Sequence, residues 1–225
     1  MKLKKILIIL ILISSFSFCS KKADLIKEND ESLRKEIKVL IEQYEKNKDD
    51  LSIIKKIVMA YFNILEIQEI ELKKNLELSN LWLKKEPESP EANSFYAGAI
   101  GRMAGVVDDL ELKIKYGKES MNLIDQAVVK FPDSYVVLLS RGIGGVLTPK
   151  MLGRYKNSIK DFEKILELKK NIQIPQEIMP VLYYYYIKGL IMSEDMNKAH
   201  LIFKDFEANY SNNLLFKILK EEGLK

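Results

Sequence analysis

The sequence predicts an all-α protein on two observations: apolar residues recur at three- and four-residue steps, and no run alternates in polarity like a half-buried strand. Of the 225 residues, 47% are hydrophobic and 30% are charged, which fits a chain that packs a core. The single cysteine, Cys19, excludes an internal disulfide, so stability must come from packing.

The amino terminus reads as an exported leader. Lys2, Lys4 and Lys5 precede the unbroken apolar run from Ile6 to Ile13, and Ser14-Ser15-Phe16-Ser17-Phe18 follows. A positive start, a short apolar run and a small-residue region make residues 1–18 a signal peptide, with an apolar part too short for a bilayer core of ~30 Å. Without those lysines the formal charge of +4 falls nearly to balance, which gives no electrostatic footprint for nucleic acid. Ser17-Phe18-Cys19-Ser20 resembles a bacterial lipoprotein cleavage site, whose cysteine becomes the lipid-bearing first residue. This resemblance implies an envelope protein tethered to the membrane through Cys19. Ser15-Phe16-Ser17 offers an alternative cleavage that would release a soluble periplasmic or secreted chain. Residues 19–28 are polar and without periodicity, as a short tether would be, and residues 29–225 form the folded domain.

Leu33, Ile37, Leu40, Ile41 and Tyr44 put one apolar stripe on a first helix over about residues 30–47. Asp50 then stands where a helix N-cap belongs, ahead of Ile53, Ile54, Ile57, Val58, Tyr61 and Ile64. Pro87, Pro90, Pro132, Pro149, Pro175 and Pro180 punctuate the rest, and the longer gaps each hold a helical pair. A motif recurs in these pairs. Ser120, Ile124 and Ala127 precede Pro132, Ser158-x3-Phe162-x2-Ile165 and Ala199-x3-Phe203-x2-Phe206 repeat the spacing, and Asn75-x3-Ser79-x2-Trp82 is a weaker copy. A generic helical bundle is the alternative.

This pattern resembles the tetratricopeptide repeat (TPR) family, whose second helix carries Ala-x3-Phe with a Pro beyond it. Gly98 and Gly142 resemble the family's small residue of the first helix, and Glu194 to Lys198 resembles its polar inter-helix turn. The resemblance implies an antiparallel helix-pair solenoid. Copies starting at Asn75, Ser120, Ser158 and Ala199 are spaced more widely than the family's period of about 34, so the repeats are elongated, with residues 99–116 and 144–154 absorbing most of the extra length.

The chain does not supply the common catalytic sets of nucleophile, base and orienting group, so it is expected not to be an enzyme. His200 is the sole histidine and reads as a helix-surface residue, Asp108-Asp109 as a solvated face, and no cluster has metal-ligand spacing. Gly142-Ile143-Gly144-Gly145 lacks the Lys and Ser/Thr of a phosphate loop, and Gly101-x3-Gly105 reads as close helix packing. No cofactor is expected.

A binding surface remains. In the family the first helices line the concave groove, which implies Phe95, Ala99, Arg102 and Met103 on one helix, Leu139 and Ile143 on the next, and Tyr184, Lys188, Ile191 and Met192 on the last. For each residue, packing in the core is the competing assignment. Tyr183 to Tyr186 occupy four adjacent positions, so one or two should point inward and the others outward. The function implied is a scaffold that holds another envelope protein or peptide. Ser89-Pro90-Glu91-Ala92 with Tyr96-Ala97 and Gly101 resembles the start of the T components of tripartite periplasmic transporters, which implies a solute-binding accessory protein as the alternative.

Overall fold

A computed structural model describes residues 20–64 and 66–221. The leader and Cys19 lie outside the described residues. Ten α-helices follow in order: α1 Ser20–Lys46, α2 Leu51–Phe62, α3 Glu69–Lys85, α4 Pro90–Val106, α5 Leu110–Lys130, α6 Tyr135–Leu147, α7 Tyr155–Leu168, α8 Met179–Met192, α9 Met196–Tyr210 and α10 Leu214–Glu221. No strand occurs among the described residues. Helix α1 starts well before the expected residue 30, so the segment read as a tether continues the helix.

The helix ends follow from local chemistry. The Asp50 carboxylate accepts from the Ser52 and Ile53 amides, Ser89 Oγ from Ala92, and Asp195 from Lys198, each satisfying donors with no partner inside the helix. Asp109 accepts from Leu112 at the start of α5, so one member of the Asp108-Asp109 pair is a cap. Glu194 takes φ 65° in the left-handed region where α8 ends, and Gly153 takes φ 67° after a 3-10 turn at Lys150–Leu152. Of the two segments expected to absorb the extra length, 144–154 holds a long connection at 148–154, whereas the α4–α5 connection within 99–116 is short; a second long connection runs over 169–178.

The described residues divide into two compact units, one up to Leu123 and one from Ile124. In the first, Leu33, Ile37, Leu40 and Tyr44 of α1 pack with Ile54, Ile57, Val58 and Tyr61 of α2, and with Leu78 and Trp82 of α3. Burial on this scale is the main favourable term in folding. Asn75 interrupts the apolar lining of α3. It is fully buried, and neither its Oδ1 nor its Nδ2 has a hydrogen-bond partner. The matching positions in the later copies are Ser120, Ser158 and Ala199. Replacing a buried polar group that lacks a partner removes a desolvation cost, against which the small cavity left by Ala is minor. Asn75→Ala is therefore expected to stabilise the protein by about 1 kcal/mol, seen as a rise in Tm of roughly 2–4 °C. A fall in Tm would show that Asn75 is satisfied by an internal water.

In the second unit α8 is central, with α6, α7, α9 and α10 packed around it. All four tyrosines Tyr183–Tyr186 are buried, correcting the expectation that some face outward. The reason is that their hydroxyls need not reach water. Tyr183 donates to Asp205 on α9, and Tyr186 donates to Glu163 on α7 at 3.1 Å. The rings are thereby buried with two of the polar tips accounted for. Burial, with Glu163 nearby, pushes the Tyr186 phenol up to about 12.

The small residues fit where the repeat pattern puts them. A Cβ at Gly142 would stand 2.5 Å from Phe162 Cε1, and one at Gly145 would stand 2.2 Å from Ser158 Oγ. Residue numbers rise along α6 as they fall along α7, so the two helices run antiparallel. A Cβ at Gly101 would likewise approach Ser120 Oγ at 2.7 Å, and Ser120 Oγ donates to the Ala97 carbonyl at 2.8 Å. Gly105 has nothing within 4 Å, so only the first glycine of Gly101-x3-Gly105 serves close packing.

Candidate partner-binding faces on the first helices

Within the first unit, α2 and α4 are neighbours. Phe95 of α4 is half-buried, stacked on Trp82 with ring centroids 5.4 Å apart and edge-on to Phe62 at 4.9 Å. Arg102 lies over the Phe62 ring, 5.5 Å from its centroid. Its Nη1 donates to the carbonyls of Tyr61 and Phe62, and its Nη2 to that of Ile64 at 2.6 Å. These carbonyls close the end of α2, where backbone acceptors have no helical donor. Burial lowers the guanidinium pKa to about 10, and the charges of Asp30 and Glu71 act against that. Arg102 thus holds the α2–α3 corner. Met103 is only 2% exposed and packs with Leu72 and Val107, and Ala99 is buried as well. The groove assignment of both residues is thereby corrected: they belong to the interior.

The corner is braced on the α1 side. Arg34 donates to Glu71 at 2.7 Å and to the Glu66 carbonyl at 2.8 Å, and the Gln68 amide donates to Glu71 at 2.9 Å. Burial pushes the Glu71 carboxyl up, but the hydrogen bonds from Arg34 and Gln68 outweigh it and hold the pKa below the ordinary carboxylate value. A folded pKa below the unfolded one gives stability that is present above the unfolded value and lost as pH falls through the folded value. Acid titration of wild type and Arg34→Met should therefore show the variant losing less stability on acidification. Parallel acid profiles would reject this role for the pair.

Within the second unit the candidate face lies on the neighbouring helices α6 and α8. A Cβ at Gly189 would make ordinary contact with Val146 at 3.4 Å, so the two helices approach closely there. Leu139 and Ile143 are half-exposed on α6, and Lys188, Ile191 and Met192 are half-exposed on α8. Tyr184 is buried against Tyr185 and beneath Lys188, whose Nζ lies 5.8 Å from its ring centroid, so this predicted contact residue supports the face from below. Leu147 joins the face although the repeat pattern does not point to it. It is 51% exposed one turn beyond Ile143, and the i, i+4, i+8 series Leu139, Ile143, Leu147 is the signal that could have revealed it.

The residues considered for chemistry have structural settings. His200 sits on α9 with Nδ1 2.6 Å from the Met196 carbonyl oxygen. Gly142 to Gly145 lie inside α6, where no phosphate loop can form. Ser89, Ala97 and Gly101, part of the transporter-like pattern, serve as an N-cap and as packing positions. No group of three or more His, Cys, Asp or Glu residues suited to a metal occurs among the described residues.

No protein-family model matches the sequence, and no curated protein matches it. Among solved structures, a thermophilic TPR protein of Thermus thermophilus is similar over 90% of this chain and 93% of its own, with a TM-score of 0.66 and 11% identity. The fold is TPR-like. At that identity the likeness carries the architecture, in which helix pairs stack and each buries its apolar face on the next.

Proposed function

We propose that this chain is a non-enzymatic interaction scaffold of the cell envelope, lipid-anchored through Cys19, that binds a partner protein on the faces of its first helices. The observation that carries the proposal is the α6–α8 face, where Leu139, Ile143, Leu147, Ile191 and Met192 remain half- or fully exposed although the same helices bury Val137, Leu138 and Val146 on α6 and Met179 to Ile187 on α8. An exposed apolar group on rigid helices marks an interaction surface. Phe95 in the first unit is a further anchor, half-exposed and fixed by Trp82 and Phe62. The anchor is supported by the leader pattern ending at Cys19.

Two measurements test the reading. A photo-crosslinker at position 143 in cells should capture a partner identifiable by mass spectrometry. Ile143→Asp should then weaken binding of that purified partner by about fivefold or more, the scale of an interface anchor, and Lys160→Glu on α7 should leave it unchanged. Loss with Lys160→Glu alone would move the site to the second helices. For the anchor, the native chain should begin at Cys19 and carry acyl mass, and Cys19→Ala should release it from membranes. A mature chain with an unmodified thiol would reject the anchor.

A further inference from the structure

The connection between α6 and α7 carries bulky apolar side chains that the core does not use. It runs from Thr148 to Arg154 through the 3-10 turn Lys150–Leu152, where Met151 is 90% exposed and Leu152 56%. The turn is closed on itself. Leu152 N donates to the Pro149 carbonyl and Gly153 N to that of Lys150, both at 2.9 Å, Thr148 Oγ1 donates to the Gly145 carbonyl at 2.7 Å, and Pro149 has no N–H to satisfy. Lys150 bridges to Glu194 at 2.7 Å and so joins the α8–α9 turn to the loop, with Met196 exposed at the start of α9. Charge is one-sided here. The chain has no carboxylate between Asp133 and Asp161, and the two on the joined turn are engaged, Glu194 by Lys150 and Asp195 as the α9 cap. Lys156, in the first turn of α7, is exposed and forms no ion pair among the described residues.

From this we infer that the α6–α7 loop is a membrane-contact tip, whose Met151 and Leu152 enter the boundary between headgroups and acyl chains of an anionic bilayer while Lys156 lies among the headgroups. Two features select a lipid surface over a protein. A large apolar side chain standing almost wholly in solvent on a turn would need a preformed pocket in a protein but none in a fluid bilayer. The internally bonded amides of the loop also cost little to take out of water, whereas open backbone donors would resist that transfer. Burial of the apolar pair supplies the attraction, and Lys156 adds charge complementarity to anionic headgroups. The inference goes beyond the scaffold reading, because it concerns a different segment and needs neither the partner nor the anchor at Cys19.

The test uses the full chain with Cys19→Ala, so that one introduced cysteine carries an environment-sensitive fluorophore, at Met151→Cys or, as control, at Lys170→Cys. Lys170 is exposed beyond the other end of α7, roughly 20 Å away for a helix of 14 residues at about 1.5 Å each. Because the apolar leader can itself bring the chain to vesicles, the readout is local to each label. With vesicles of phosphatidylcholine and phosphatidylglycerol, the label at 151 should shift to the blue and be quenched by lipids brominated near the headgroup, and the label at 170 should keep its aqueous emission. Leu152→Asp should abolish the shift at 151. Lys156→Glu should raise the vesicle concentration at its midpoint by about fivefold at low salt, and by less as salt is added. Circular dichroism checks that the variants, all at exposed positions, remain folded. Capture of a partner at position 143 is read separately, so the scaffold can stand where the tip fails. No shift at 151, an equal shift at both labels, or indifference to Leu152→Asp, Lys156→Glu or phosphatidylglycerol overturns the inference. A label at 151 that responds to the captured partner and not to vesicles overturns it too, and assigns the tip to a protein interface.

Discussion

Gly142→Leu is expected to cost about 3 kcal/mol, because the space beside Gly142 is already filled by a ring that cannot move aside. A Cβ there would approach Phe162 Cε1 at 2.5 Å and Cζ at 2.7 Å, and Phe162 is itself fully buried. Even Gly142→Ala should lose about 1 kcal/mol, although alanine in an open helix position gains roughly that much over glycine. Gly144 supplies the internal control. It lies in the same helix with nothing within 4 Å, so Gly144→Ala should stabilise by about 1 kcal/mol. Gly98→Ala falls between them, since its Cβ would meet the tip of the half-exposed Phe62 ring, which can rotate away. Urea denaturation of the four variants should give this order, and Phe162→Leu should recover part of the Gly142→Ala loss. If Gly142→Ala and Gly144→Ala behave alike, the α6–α7 crossing does not depend on a missing side chain.

That crossing was legible in the sequence, because close approach of two helices requires a small residue and the space it leaves takes a large one. Gly142 with Phe162, and Ser158 with Gly145, are local signatures of that requirement. The cap at Asp50 was readable because a polar side chain stands where backbone donors begin, and Asp195, read as part of a polar turn, caps α9 in the same way. Which side of a helix faces the groove was much less readable. Helix α8 is apolar nearly all round, so no stripe distinguishes Tyr184, which is buried, from Ile191, which is half-exposed. Arg102 looked like a surface cation because the carbonyls it binds belong to a helix end about forty residues earlier, and backbone acceptors leave no mark in a sequence. The same limit hid the charges around Arg141, whose partners lie on two other helices.

Arg141→Ala should be the other severe lesion, costing about 3–5 kcal/mol at neutral pH because it leaves a buried carboxylate alone. Asp161 is 3% exposed and receives two hydrogen bonds from Arg141, at 2.8 and 2.7 Å. Arg154, the cation that could replace Arg141, is held by two hydrogen bonds to Asp125, at 2.7 and 2.9 Å. Arg141→Lys should restore little, since an ammonium cannot make the paired contacts of the guanidinium fork. Replacing both members, as in Arg141→Leu with Asp161→Leu, should be milder than Arg141→Ala, because no charge is left buried. The deficit also carries a pH signature. Burial raises the Asp161 pKa above its ordinary value and Arg141 opposes the rise, so removing the arginine moves the folded pKa higher still. A carboxyl whose folded pKa exceeds its unfolded one takes up its proton more readily when folded, and its contribution to stability falls as pH rises through the window between the two values. The Arg141→Ala deficit should therefore be largest at neutral pH and shrink on acidification toward the ordinary carboxylate pKa, where the stranded Asp161 is neutral. Urea denaturation of wild type and variant at neutral and mildly acidic pH measures this. A deficit below about 1 kcal/mol, the range of an exposed pair, would show that Asp161 finds another partner, and a deficit independent of pH would show that its charge is not the cause.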